Sequence, residues 1–381
     1  MDCREKLKRL SAAARFEPAE EVPPQGGSCG LPGDPLRGMI HQAVLPGGRR
    51  IPLLKTLLTS ACERNCLYCP FRAGRDFRRV TFTPDELAAL CDQMHRAGLI
   101  QGVFLSSGLV GGGVRTQDRL LATAELLRRR YRFRGYIHLK LMPGAEQDQV
   151  AQAMRLADRV SVNLEAPNQA RLARLAPQKA LIEELVRPLR YAAELRRRWG
   201  RGPSQTTQFV VGAAGESDRE LLRTTDYLRR TVGLARAYFS AFRPIPGTPL
   251  EGHPPTPPLR EHRLYQADFL LRDYGFRAEE LVYDAQGNLP LEADPKLVWA
   301  RRHLAQAPVE LNRADREMLL RVPGIGPRGA DKLLQARRRG RLRSLADLRR
   351  LGVAADRAAP FILLDGRRPD HQLPLFSLAD D

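Results

Sequence analysis

No stretch of this sequence approaches the run of about 18 apolar residues that crosses a membrane, and Met1 to Leu10 is charged, without the apolar core of a secretory leader. A cytoplasmic chain with no membrane partner is the expectation. Cysteine is scarce, with six in 381 residues. Three of them lie close together and the others (Cys3, Cys29, Cys91) are scattered, which excludes a disulfide framework and fits a reducing compartment. The scattered three share no ligand spacing, so no second metal cluster is expected. Acids are also short: 62 Lys and Arg against 43 Asp and Glu leave a net charge of +19. Such an excess points toward a polyanionic partner. Nearly all of it is arginine, however, in a chain also rich in Ala, Gly and Pro. GC-rich coding sequence gives that composition unaided, so only a local concentration of charge carries weight.

What is present begins with Cys62-Glu63-Arg64-Asn65-Cys66-Leu67-Tyr68-Cys69, directly after the apolar run Pro52 to Leu58. Three thiolates so spaced can wrap one corner of a [4Fe-4S] cube, whose four irons usually take four cysteines, leaving one iron open to a chelating ligand. A closed zinc knuckle needs a fourth Cys or His nearby, and the first histidine after Cys69 is His95, inside a helical pattern. The spacing, with an aromatic residue before the last cysteine, resembles the radical S-adenosylmethionine (radical SAM) superfamily. The resemblance implies that Cys62, Cys66 and Cys69 hold the cluster, with Tyr68 beside the cofactors. It also implies that the open iron binds the amino and carboxylate groups of S-adenosyl-L-methionine. Reductive cleavage then yields a 5′-deoxyadenosyl radical that abstracts hydrogen from the substrate, with flavodoxin or ferredoxin as the kind of electron donor.

From Pro52 onward, strand patterns alternate with helical ones. Strands are expected at Leu53 to Thr59, Gly102 to Ser107, Tyr136 to Leu141, Arg159 to Leu164, Gln205 to Val211 and Ala237 to Phe242. Helices are expected from Thr83-Pro84-Asp85-Glu86, and over Asp118 to Arg130, Gln147 to Leu156, Leu181 to Trp199 and Asp218 to Thr231. Six such units predict an α/β chain with an open partial (β/α)6 TIM-like barrel, the architecture radical SAM enzymes share, with functional residues at the C-terminal strand ends. The candidates there are Ser106, Ser107 and Gly108, where the superfamily usually has a Gly-Gly-Glu-like segment and this chain keeps only the glycine. Ser161, Asn163 and Glu165 repeat at period two on one strand face, which is costly for buried polar groups unless they meet something polar. A ribose, the methionine carboxylate, or an internal network with Lys140 or Arg159 would each answer. His138 and Lys140 share a face of their strand and could serve either cofactor or core. Gly212 resembles the superfamily's adenine-side glycine, although a tight turn explains it as well. Phe242 opens a Pro-rich tail, Arg243 to Pro249, that resembles the segment lining the adenine.

The second informative stretch is Val322-Pro323-Gly324-Ile325-Gly326-Pro327-Arg328, between helices expected at Arg313 to Leu320 and Pro327 to Arg338. It resembles the helix-hairpin-helix motif of DNA polymerases, glycosylases and ligases. Small residues bare the backbone N–H groups at the positive end of the second helix, where a phosphate can be held without its base being read. Residues 310–350 hold 12 Lys and Arg against 5 Asp and Glu. Gly324, Ile325, Gly326, Arg328, Lys332, Arg337, Arg338 and Arg339 are the candidate DNA contacts. The helix Leu345 to Leu351 with Gly352-Val353 looks like a second, degraded copy.

The expected organisation is an N-terminal extension (1–50), a radical SAM core (51–250), a stiff linker with packing helices (251–308), an all-α helix-hairpin-helix domain (309–366) and a flexible tail (367–381). The order of parts resembles a bacterial radical SAM family associated with DNA modification or repair. That resemblance implies a radical enzyme acting on DNA through sequence-independent phosphate contacts. The alternatives are a radical enzyme acting on a peptide or metabolite, with the C-terminal domain docking a partner, and a DNA-binding iron–sulfur protein without radical chemistry. No cobalamin-binding domain or auxiliary cluster motif is visible.

Overall fold

The computed structural model describes residues 3–14, 40–44 and 49–370. Cys29 and residues 371–381 of the expected tail lie outside them. The chain divides into two compact units, one of Met1–Glu216 with Tyr227–Thr256, the other of Ser217–Asp226 with Pro257–Asp381.

In the first unit α1 (Cys3–Ala14) and β1 (Ile40–Val44) precede β2 (Arg50–Leu57), α2 (Pro84–Arg96), β3 (Gly102–Ser106), α3 (Gly112–Glu125), β4 (Tyr136–Lys140), α4 (Gln147–Leu156), β5 (Arg159–Glu165), α5 (Gln169–Leu175), α6 (Arg187–Trp199) and β6 (Ser204–Val211). Helix α7 (Asp218–Val232), whose first residues fall in the other unit, leads to β7 (Leu234–Ala241). The seven strands form one sheet in the order β1 to β7, parallel from β2 onward, with no pairing between the first and last. The barrel is therefore open, and the six expected parallel strands are present, each of the first five followed by helix. The stretch read as an extension adds β1, an antiparallel edge strand on β2.

Local chemistry accounts for most boundaries. Thr83 caps α2 in a capping box with Glu86, with Pro84 in the first turn. Helix α3 begins at Gly112, six residues before the expected start, because the Glu63 carboxylate accepts the Gly111 and Gly112 N–H groups at 2.9 and 3.0 Å. Its expected last turn, Leu126–Arg130, is a π turn, as is Leu181–Val186 ahead of α6, where Pro188 cannot donate to a continuous α ladder.

The inner face of the sheet is layered. Ala43, Ile51, Leu53 and Phe104 form an apolar floor with Tyr136 against it. Toward the strand ends come two rows of mainly polar side chains in register. Lys55, His138, Arg159 and Ser204 make the lower row, which Phe104 of the floor shares by register, and Lys140, Ser161, Thr206 and Arg236 the upper.

The second unit contains α8 (Pro258–Asp273), α9 (Pro295–His303), β8 (Val309–Glu310), α10 (Arg316–Arg321), α11 (Pro327–Ala336), α12 (Leu345–Arg350), α13 (Ala355–Ala358) and β9 (Ile362–Leu363). It is not all-α, since β8 and β9 pair in parallel. Residues 257–308 belong to this unit and carry α8 and α9. Buried Arg321 lies 3.8 Å from the Phe276 ring centre and pairs with Glu280 and Glu317, tying the α8–α9 region to α10. The tail is anchored at its start, with Arg368 donating to the Pro360 and Ala305 carbonyls.

Candidate functional site

Because β2 to β7 run parallel, the loops that follow them share one rim, and the cysteine loop is the first of these. It is braced from several sides. The Glu63 N–H donates to the Leu109 carbonyl at 2.8 Å and Leu67 N–H to that of Leu175 at 2.7 Å, while Arg64 reaches Glu184 and the Gln178 carbonyl. Arg79 closes the loop from below, donating to the carbonyls of Ser60, Phe71, Arg72 and Arg75 with its guanidinium 3.8 Å from the Phe77 ring centre. None of these clamps was visible in the sequence, because their partners are distant or are backbone atoms.

Cys62, Cys66 and Cys69 are free thiols within this brace, Cys66 being buried at 7% exposure. Burial pushes the Cys66 and Cys69 thiols up, and each is raised further by charge on neighbouring cysteines. Leu109 N–H donates to Cys62 Sγ at 3.5 Å and Phe71 N–H to Cys69 Sγ at 3.4 Å, the kind of contact that supports thiolate sulfur. Among the described residues no three His, Cys, Asp or Glu side chains converge as ligands of a single metal ion. A cluster spreads its ligands over several irons, and this donor set fits it. Asn65 Oδ1, Ser106 Oγ and Glu165 Oε2 are buried without hydrogen-bond partners, leaving polar atoms around the loop for a polar cofactor.

Several predicted residues gather here. Gly108 crosses so close to the cysteine loop that a Cβ would stand 2.1 Å from the Ala61 carbonyl oxygen, and only glycine fits. Ser107 Oγ turns back to the Gly108 carbonyl at 2.7 Å. Tyr68 has its hydroxyl pushed well above the phenol range, first by burial and then by the charge of Glu165. The polar triplet on β5 is answered internally, with the foreseen Lys140 acting on Glu165 through its charge. Ser161 Oγ meets His138 Nε2 at 2.9 Å, Asn163 donates to Gln208 at 3.2 Å, and Glu165 Oε1 accepts from Lys179 at 3.0 Å. Burial opposes ionisation of Glu165, but the charges of Lys179 and Lys140 outweigh it and hold the carboxyl below its usual range. Lys179, on a loop with no periodic pattern, was missed. At the far strand ends, Gly212 donates to Glu216 and accepts from His253 Nε2 at 3.1 Å. The Phe242 backbone donates to Val211 and accepts from Thr256, both at 2.9 Å. Those main-chain groups already have protein partners.

In the second unit, Val322–Gly326 joins α10 to α11. Gly324 has φ +82°, and a Cβ there would meet the Ala354 carbonyl oxygen at 2.4 Å. The pattern recurs at Gly352, φ +76°, between α12 and α13. In both hairpins the residue after the glycine is buried (Ile325, Val353), and Ala330 N–H bonds Gly326 O as Ala358 N–H bonds Ala354 O. The candidate contacts divide. Ile325 N–H is taken by the Val322 carbonyl, Lys332 reaches the Leu351 carbonyl at 3.2 Å, and Arg337 donates to the Leu311 and Ala314 carbonyls. Arg337 is thus a brace inside the unit rather than a surface charge. Arg328, Arg338 and Arg339 are exposed.

Residues 56–228 match the family model described as the Radical SAM superfamily. Among solved structures, the chain is similar to methylornithine synthase, at 16% identity over 58% of this chain and 61% of that one, with a TM-score of 0.47. It is also similar to the FeFe-hydrogenase maturase HydG from Carboxydothermus hydrogenoformans, at 14% identity over 58% and 51% of the two chains, TM-score 0.47. Coproporphyrinogen III oxidase (HemN) from Escherichia coli matches at 16% identity over 58% and 52%, TM-score 0.39. The match thus spans between half and two thirds of the length of each of these proteins. No helix among the described residues is long and apolar enough to cross a membrane.

Proposed function

We propose that this chain is a radical SAM enzyme, using a [4Fe-4S] cluster and S-adenosylmethionine, that modifies or repairs DNA, its C-terminal hairpins gripping the phosphate backbone without reading sequence. The observation that carries the reading is the tandem pair of glycine hairpins beside Arg328, Arg338, Arg339 and Arg343, whose side chains have no ion-pair or hydrogen-bond partner among the described residues. Unpaired arginines beside a helix N-terminus are what non-specific phosphate binding requires.

When bound, the cofactors supply a 5′-deoxyadenosyl radical that takes a hydrogen atom from substrate. The chain's own part is to hold and shield. Cys62, Cys66 and Cys69 would hold the cluster, and the Arg79 and Glu63 braces keep their loop in place. Ser106, Lys140 and Glu165 line the strand-end rim where the methionine moiety and ribose would be oriented. The apolar floor of Ala43, Ile51, Leu53 and Phe104 would shield the site from water on that side. A base stacked in a duplex cannot reach such an interior, so a flipped or single-stranded nucleotide is the expected target. A flavodoxin- or ferredoxin-type donor would deliver the electron.

The test is anaerobic reconstitution with S-adenosylmethionine and reductant, quantifying 5′-deoxyadenosine with and without single- or double-stranded DNA. DNA should stimulate cleavage, and Cys66→Ala should lose both iron and cleavage. Cleavage indifferent to DNA would overturn the nucleic-acid reading and leave a peptide or metabolite substrate. A loaded cluster without cleavage would favour a DNA-binding iron–sulfur protein.

A further inference from the structure

We infer that the outer side of the cysteine loop is the docking surface for the electron donor, a small acidic protein carrying a one-electron flavin or iron–sulfur centre. The inference rests on the radical SAM reading of this unit and uses none of the hairpin residues.

Two segments flank Glu63 and Arg64 on the loop that carries the cysteines. On one side the Ala73 N–H donates to the Arg64 carbonyl at 2.8 Å, which lays residues 71–79 along the loop. On the other, the Glu63 carboxylate accepts the Gly111 and Gly112 N–H groups at 2.9 and 3.0 Å and so fixes the start of α3. Both segments carry arginines whose side chains have no carboxylate or carbonyl partner among the described residues, Arg72 and Arg78 on the first and Arg115 on the second. Arg78 and Arg115 are exposed, and Arg72 Nε is buried without a hydrogen-bond partner. Of the acids in residues 62–79 and 109–115, Glu63 is occupied by backbone N–H groups and Asp76 alone is left exposed.

Apolar groups accompany these cations. Val110 and Val114 are each 40% exposed. Phe71 and Phe77 are half buried with ring centres 6.1 Å apart. The same two segments reach the sulfurs: Phe71 N–H donates to Cys69 Sγ at 3.4 Å, and Leu109 N–H, next to Val110, donates to Cys62 Sγ at 3.5 Å. Cys62 and Cys69 are themselves partly exposed, whereas Cys66 is buried. A protein seated on this patch therefore lies against two of the three candidate cluster ligands.

Apolar groups set among charged ones are the anatomy of a protein interface, and electron-transfer encounters need little area. A nucleic-acid backbone would use the arginines and leave the valines unmatched. An acidic carrier meets both, and complementary charge steers its approach. In the encounter one electron passes from the carrier's reduced centre to the cluster. The carrier is oxidised, the cluster is reduced, and no group is transferred.

The test is anaerobic stopped-flow of the reconstituted full chain, following loss of cluster absorbance after mixing with a reduced bacterial flavodoxin or with dithionite. The second-order rate with flavodoxin should fall as salt rises. Arg78→Glu/Arg115→Glu should slow it about tenfold at low salt and flatten that dependence. Val114→Asp should slow it as well, and Arg338→Ser/Arg339→Ser should react as the parent does. Reduction by dithionite, which needs no docking, should be unchanged in every variant. Parent-like flavodoxin rates in both the arginine pair and Val114→Asp overturn the inference. So does an equal loss with dithionite, which would make these residues supports of the loop. Loss of DNA affinity in the arginine pair with an unchanged flavodoxin rate also overturns it and gives the face to nucleic acid. A parent that cleaves S-adenosylmethionine with dithionite but takes electrons from flavodoxin independently of salt sinks this inference alone. A parent with a loaded cluster that cleaves nothing with dithionite sinks the radical SAM reading and this inference with it.

Discussion

Lys296 sets a single amine where the first hairpin turns. Its Nζ donates to the Ile325 carbonyl at 2.6 Å and lies 4.5 Å from the Tyr274 ring centre. Burial lowers its pKa to about 7, with Asp294 opposing and Arg357 and Arg321 adding to the shift. An unfolded lysine titrates near ~10.4. Between those values the unfolded chain binds one more proton than the folded one, so stability falls as pH falls through this window, by up to about 1.4 kcal/mol per pH unit, and levels off below the folded value. Urea unfolding at pH 7, 8 and 9 should show this slope, and Lys296→Met should remove it while keeping most of the stem's packing. Equal slopes in the two chains would mean that Lys296 is charged in the fold. The same scale shows how far the site could be read from the sequence. The alternation Ser161, Asn163, Glu165 marks a strand with buried polar groups. Which residues answer them (His138, Gln208 and Lys179) follows only from sheet register and from a loop that crosses the rim. Sequence spacing carries neither.

At the scale of elements, local signals located helices and strands, and distant partners moved their ends. Helix α2 is the local case. Thr83 accepts the Glu86 N–H at 3.2 Å and Glu86 accepts the Thr83 N–H at 2.8 Å. Thr83→Ala should therefore cost about 1 kcal/mol in denaturant unfolding without changing iron binding, because the cap lies outside the cysteine loop. A loss of iron at full stability would give the cap a role that its position does not suggest. The buried parallel strands were legible because they are short apolar runs between helices. Strand β1, by contrast, reads Ile-His-Gln-Ala-Val, and only its pairing with β2 makes it a strand. The start of α3 belongs to Glu63, nearly fifty residues earlier in the chain. Strands β8 and β9 are two residues each, too short for any period to register.

For the molecule as a whole, net charge overstates the case for a polyanion and the surface restores part of it. Many arginines are structural. Arg128 donates to the carbonyls of Leu156, Phe133 and Gly135, Arg79 to four carbonyls, and Arg321 is buried against Phe276. None of these can release a counterion on binding. Arg338 and Arg339 can, since both are exposed after the second helix of a glycine hairpin. If they touch phosphates, Arg338→Ser/Arg339→Ser should flatten the plot of log affinity against log salt by about 0.9 per lost contact on duplex DNA, or about 0.7 on single strands. Affinity should fall equally on two unrelated sequences, because phosphate contacts carry no base information. Arg337→Ser should behave differently, destabilising the hairpin by freeing the Leu311 and Ala314 carbonyls it holds. Fluorescence anisotropy across a salt series separates the two effects. A slope unchanged by the double variant removes these arginines from the interface, and a loss confined to one sequence would replace backbone gripping with base recognition.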